Sequence, residues 1–176
     1  IPSGKVFYSP ELGHDAPQEL THAGNDVFLP HREQEHLDET SFVAYDDHDL
    51  LLLETRDTLG NRVTVGEREA NGNITKNGND YRVLQPWMIS DPNRNRSAVA
   101  FDILGMVAGT AIMGKPPPAQ EEGDSLEDFD PNLSPDQISA FHDADDPHIP
   151  APDLLKGATT LIIYDLDCLT KKKKEN

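Results

Sequence analysis

The sequence predicts a mainly β protein: an antiparallel strip of hairpins with a small helical insertion. Three observations carry that expectation. First, Ala98 to Phe101 alternates as a half-buried strand does and runs into Asp102-Ile103-Leu104-Gly105, where Leu-Gly supplies a turn position free to take a positive φ. Second, Asp57-Thr58-Leu59-Gly60 repeats the same Asp-x-Leu-Gly frame, so the chain carries a recurring module, and recurrence points to a scaffold before it points to an active site. Third, a run of three prolines at Pro116 to Pro118 stops the β pattern and introduces a segment of different composition.

The elements follow in order. Residues 1–40 read as an irregular segment with short strands at Lys5 to Tyr8 and Asp26 to Leu29, followed by the polar stretch His31 to His36. Residues 41–114 form the β-rich repeat block. Its strands are expected near Ser41 to Tyr45, Leu50 to Thr55, Arg62 to Glu67, Tyr81 to Leu84, Ala98 to Phe101 and Met106 to Met113, with Gly72 to Gly78 as a polar hairpin tip.

Residues 115–157 are a Pro-rich, acidic linker carrying a short helical insertion. Ser134-Pro135-Asp136-Gln137 has the form of a capping box with proline in the first turn, which starts a helix from Pro135 to about His142 that buries Ile138 and Phe141. A second short helix is expected at Ala151 to Lys156. Residues 158–170 return to strand, and residues 171–176 read as a disordered Lys-rich tail.

Composition narrows the function classes. Only 36% of the 176 residues are apolar and 27% are charged, against nearly half apolar in an ordinary domain, so the core is expected to be thin. The net charge of −17 argues against a nucleic-acid partner, because phosphates are repelled by such a surface. No apolar run approaches the ~20 residues of a membrane span. One cysteine, Cys168, makes no intrachain disulfide, and the sequons at Asn73, Asn95 and Asn132 matter only in a eukaryotic secretory pathway.

Candidate chemistry is sparse. Asp57 and Asp102, next to Gly60 and Gly105, are expected to bind turn amides as aspartates do in Asx-turns, a structural role. The segment from His142 to His148 gathers His142, Asp143, Asp145, Asp146 and His148 within seven residues, which makes a small acidic metal- or calcium-binding module the alternative reading. Asp91-x-Asn93-x-Asn95 opens like a calcium loop, but Arg96 stands where that loop needs glycine and Asp102 where it usually has glutamate. No Gly-x-Ser-x-Gly or cysteine motif accompanies Cys168 or any serine, so no enzyme activity is expected.

The aromatic-Asp hairpin units, Tyr45-Asp46, Phe101-Asp102 and Tyr164-Asp165, resemble the YD repeats of the Rhs superfamily. Longer blocks are more specific. Ile1 to Pro10, Glu54 to Glu67, Asn79 to Asp102, and Gly157-Ala158-Thr159-Thr160 before Ile163-Tyr164-Asp165 resemble the middle-to-C-terminal region of the B component of insecticidal Tc toxin complexes, of the TcdB/TcaC/SpvB type.

That resemblance implies a strip of Rhs-type sheet that joins a C component to form a hollow shell around a toxic effector. It implies no catalytic residues and no cofactor. Its implied partners are the remaining Rhs strands of the same component and the C component, and its implied location is secreted or extracellular. Within it, Asp57, Gly60, Asp102, Gly105, Tyr164 and Asp165 are structural turn residues. Two departures stand out. Phe42 to Leu50 has no glycine at its turn, leaving that job to His48-Asp49, and the tail from Lys171 resembles no continuing repeat, so the scaffold reads as interrupted.

Overall fold

The computed structural model describes residues 4–35, 39–116 and 122–165. The linker prolines Pro117 and Pro118, most of the expected final strand, Cys168 and the Lys-rich tail lie outside the described residues. The described chain is mostly antiparallel β-strand with three short helices, as the sequence predicts. It divides into two compact units, residues 1–96 and 97–176.

The first unit begins with β1 (Lys5–Phe7), α1 (Ala16–Asn25) and β2 (Arg32–Gln34). It continues with β3 (Thr40–Tyr45), β4 (Leu52–Arg56), β5 (Arg62–Arg68) and β6 (Ile74–Asn77). The ribbon β7 (Asn79–Asp80) and β8 (Gln85–Pro86) and the strand β9 (Met88–Ser90) follow. Its sheet order is β1-β2-β3-β4-β5-β9, with β6 also paired to β5, and every described pairing is antiparallel.

The reading of residues 1–40 as irregular is corrected by α1. Asp15 accepts the Gln18 N–H at 3.0 Å while Gln18 Oε1 accepts the Asp15 N–H at 2.9 Å, a capping box with Pro17 in the first turn. Only Ala23 of this helix is buried, so the apolar periodicity that normally marks a helix is missing. The expected strand at Asp26 to Leu29 is instead the end of α1. Phe28 N–H reaches back to Ala23 O at 2.8 Å, and Val27 and Phe28 take φ values of 51° and 60° that no strand allows.

A second correction concerns Tyr81 to Leu84, which is not a strand but the loop joining β7 and β8. The polar tip expected at Gly72 to Gly78 contains β6. β5 is sharply bent: seven extended residues span about 20 Å, yet Arg68 Nη2 lies 3.2 Å from Arg62 O. The bend falls at Gly66, whose φ is +114° and where a Cβ would sit 1.9 Å from Lys76 O.

Among the described residues, the buried side chains of the first unit are mainly polar. Ser9, Arg32, Asp46, Thr64, Arg68, Ser90 and Arg96 are buried beside Ala23, Val65 and Met88. The thin core expected from composition is thus replaced by a polar lattice. Arg32 shows the pattern: it stacks over Phe7 at 4.3 Å, donates from Nε to Ser9 O at 2.8 Å and pairs with Glu19 at 2.9 Å.

The second unit contains β10 (Arg96–Phe101), β11 (Val107–Met113), α2 (Pro135–His142), α3 (Ala151–Leu155) and β12 (Thr160–Leu161), with β11 pairing β12. Here the core is apolar. Phe129 packs on Ala108 and Ala158, with Leu126, Leu155 and Leu161 around them, and its ring lies where a Cβ on Gly109 would be. α2 has the bounds and the Ser134–Gln137 capping box that the sequence predicts. Ile138 and Phe141 are half-buried rather than buried, because α2 leaves no residue fully covered. The returning strand expected over 158–170 is, among the described residues, only the two residues of β12.

Candidate functional site

The repeated turn is the feature that organises the chain. Asp57 N–H donates to Asn61 O at 3.0 Å, and Gly60 N–H returns to Asp57 O at 3.0 Å. Gly60 has φ +85°. This is a three-residue hairpin loop closed by a left-handed residue and a bulge. The carboxylate completes it: Oδ1 accepts the Asn61 N–H and Oδ2 accepts Asn61 Nδ2, both at 2.8 Å. The Asn61 side-chain bond, with the Asn61, Leu59 and Gly60 backbone N–H groups, holds the Asp57 carboxyl below its usual range against a smaller opposing effect of desolvation.

Asp102 builds the same loop. Its N–H donates to Met106 O at 2.8 Å, and Gly105, at φ +82°, donates to Asp102 O at 3.1 Å. Oδ1 accepts the N–H groups of Leu104 and Met106 at 2.9 and 2.8 Å. Asp91 repeats it with no glycine. Arg94 takes φ 68° and donates to Asp91 O at 2.9 Å, and Asn95 is bound to both carboxylate oxygens. The calcium-loop likeness of this segment is therefore a hairpin turn whose carboxylate is already spent on the protein's own donors.

Asp46 closes a loop one residue longer, with Asp49 as the left-handed residue at φ 52° in place of glycine. Its Oδ1 accepts the Leu50 and Leu51 N–H groups at 2.7 and 3.0 Å, and Oδ2 accepts the Tyr81 hydroxyl at 2.6 Å. Burial alone pushes this carboxyl up. The Leu51 N–H, the Tyr81 hydroxyl and the Leu50 N–H outweigh it and bring the pKa down to about 2. The same bond, with desolvation, pushes the Tyr81 hydroxyl up.

Two further turns share the frame and are not evident from the Asp-x-Leu-Gly motif. Glu69 N–H donates to Asn73 O and Gly72 N–H to Glu69 O, with Asn71 as intermediary: its Oδ1 accepts the Asn73 N–H and its Nδ2 donates to Glu69 Oε2, both at 2.8 Å. Asp80 accepts the Arg82 N–H on Oδ1 at 2.9 Å and the Val83 N–H on its carbonyl at 3.3 Å, with Leu84 at φ 55°. The six anchoring acids stand at positions 46, 57, 69, 80, 91 and 102, one every eleven or twelve residues. That spacing was the sequence signal for all six.

The other candidate residues do not converge. His142 ends α2, Asp143 caps it, and Asp145, Asp146 and His148 are exposed, with Asp146 Oδ1 accepting the His148 N–H at 3.0 Å. Among the described residues no three His, Cys, Asp or Glu side chains are placed to hold a metal ion. Tyr164 donates from its hydroxyl to Val107 O at 3.0 Å, and Asp165 is half-buried at the end of the described segment.

Ser9, His14 and Glu11 form a chain of contacts unforeseen in the sequence, with Ser9 Oγ 2.7 Å from His14 Nδ1 and His14 Nε2 2.9 Å from Glu11. Ser9 is fully buried and its Oγ also accepts the Glu11 N–H, so the trio presents no nucleophile to a substrate. No helix is long and apolar enough to cross a membrane among the described residues.

Comparison with known proteins places this architecture. No family model matches the sequence, and no curated protein matches it. Solved structures do. A crystal structure of TcdB2-TccC3 is similar over 69% of this chain at 20% identity with a TM-score of 0.50. A second crystal structure containing TcdB2-TccC3 is similar over 65% at 19% identity with a TM-score of 0.49. The Photorhabdus luminescens Tc holotoxin pore covers 83% at 16% identity with a TM-score of 0.44. The chain spans only 5–8% of the length of these proteins. At such identity the likeness carries the fold: a strip of antiparallel hairpins of the kind found in Tc toxins.

Proposed function

We propose that this chain is a non-catalytic panel of a Tc-toxin B-type component, part of an Rhs-repeat shell that encloses a toxic effector, in a secreted protein. The observation that carries the reading is the six-fold recurrence of one acid-anchored turn along an antiparallel strip. Each carboxylate is consumed internally by turn amides, which suits an element whose work is to add a strand pair and turn the chain back. The fold likeness to TcdB2-TccC3 and the sequence blocks quoted above point the same way. The partners in this reading are the adjoining Rhs strands of the same component and the C component.

The strand termini supply the test. Within its unit and among the described residues, β1 pairs only with β2 and β12 only with β11. Unpaired strand edges recruit other strands. Size-exclusion chromatography with light scattering on the 176-residue chain is expected to give self-associated species. Lysine at the exposed edge positions Val6 and Ile162 should shift them toward monomer. A compact wild-type monomer with a β-type circular dichroism spectrum would mean that the chain closes its own edges, and the panel reading would fall.

A further inference from the structure

We infer that the first unit carries a binding pocket for a small oxyanion, a phosphate or carboxylate group, between the turns that flank β5. The cavity has a volume of about 250 Å³ and is lined by Arg62, Arg68, Asn61, Asn71, Gly60 and Gly72 among others, with no carboxylate in its wall. In a chain with a net charge of −17, two arginines facing one polar cavity are an exception to the general field.

Arg68 makes this more than a basic surface. It is 94% buried, and its hydrogen bonds among the described residues all leave from Nη2, to Arg62 O, Asp91 O and Pro92 O at 3.2, 2.9 and 3.1 Å. Its Nε is buried with no acceptor. A buried charged donor without a partner is costly, and an arriving oxyanion relieves that cost with a charge-assisted bond. Three carbonyls fix the guanidinium in place, so it loses little freedom on binding.

Arg62 completes the pair. One nitrogen, Nη1, is held by Glu54 at 3.1 Å, and a third of the side chain is exposed. The wall opposite is Gly72, where a Cβ would lie 2.9 Å from Arg62 Nη1, so glycine keeps the cavity open on that side. Asn61 and Asn71 are oriented by Asp57 and Glu69, which leaves the acids facing the turns rather than the cavity. Two cationic forks, glycine clearance and no lining acid suit a group of two to four oxygens and exclude a cation.

Nitrogen-resolved NMR of the arginine Nε–Hε signals tests the pocket on the whole chain. Sodium phosphate and N-acetyl-glutamate amide are titrated separately against sodium chloride at matched ionic strength. A saturable shift of the Arg68 signal with either probe is expected. Response to phosphate identifies a free or ester phosphate as the source, and response to the glutamate probe alone identifies a polypeptide carboxylate. Arg62→Gln, with its fold checked by circular dichroism, should weaken binding at least tenfold. Absence of saturation by either probe up to tens of millimolar, or undiminished binding by folded Arg62→Gln, overturns the assignment.

Discussion

Asp46 holds two loops at once: its carboxylate closes the β3–β4 turn and takes the Tyr81 hydroxyl from the β7–β8 loop. Its folded pKa of about 2 lies below the ~3.9 of an unfolded aspartate. A depressed carboxyl contributes stability that is fully present above about pH 4 and is lost as pH falls toward 2. Urea unfolding at pH 7, 4 and 2.5 should therefore show Asp46→Asn less stable than wild type at pH 7 and the gap closing as pH falls. A constant gap would mean that the charge is not what binds the two loops. Arg94 gives a second test at this scale. It holds φ 68° where its counterparts Gly60, Gly72 and Gly105 hold the same conformation without a Cβ. Arg94→Gly should raise the unfolding free energy by up to ~1 kcal/mol, since a left-handed residue with a Cβ costs roughly 1–2 kcal/mol and glycine gives part back in entropy. The measurement is the denaturation midpoint.

At the level of elements, each turn converts one strand into the next, so damage to a turn is damage to a pairing. Gly105→Val puts a β-branched residue at φ +82° and should cost at least about 1–2 kcal/mol, read as a lowered thermal midpoint. By contrast, replacing Asp143, Asp145 and Asp146 together with Asn touches only exposed groups, and stability should stay within ~0.5 kcal/mol. These elements also show what the sequence could say. α2 is legible because Ser134, Pro135 and Gln137 state its beginning in local chemistry. α1 states its beginning equally well in Asp15, Pro17 and Gln18, yet its faces are polar and only Ala23 is buried, so periodicity gives no helix there. Tyr81 to Leu84 misleads in the opposite sense: its aromatic and branched residues read as strand, but Tyr81 is there to reach Asp46, a partner 35 residues away. The turns at Asp57 and Asp102 are legible through glycine. Those at Glu69, Asp80 and Asp91 are less so, because the motif differs and only the spacing is common. The paired arginines of the β5 cavity have no sequence signature at all, since they meet only because the strand bends at Gly66.

Across the whole molecule, two units use different means of cohesion. Residues 1–96 bury arginines, serines and an aspartate in hydrogen-bonded sets, whereas residues 97–176 gather alanines and leucines around Phe129. Polar lattices lose stability outright when one member is removed, because the remaining partner is left buried and unpaired. Arg32→Ala is accordingly expected to cost more than about 2 kcal/mol, leaving Glu19 with an uncompensated charge, and hydrogen exchange should show the loss confined to β1, α1 and β2. Uniform loss of protection throughout residues 1–96 would instead mark that unit as a single cooperative block.

The eleven-residue interval between anchoring acids has a consequence for how such a chain can change length. A duplicated interval reproduces its own start and stop, so its new strand meets the old ones with side chains on the proper faces. An insertion of some other size reverses the alternation downstream and turns polar residues inward. Growth and shrinkage of this architecture are therefore quantised: a lineage can lengthen or shorten it by whole hairpins while each intermediate remains foldable, and duplicating residues 91–101 is the smallest such step.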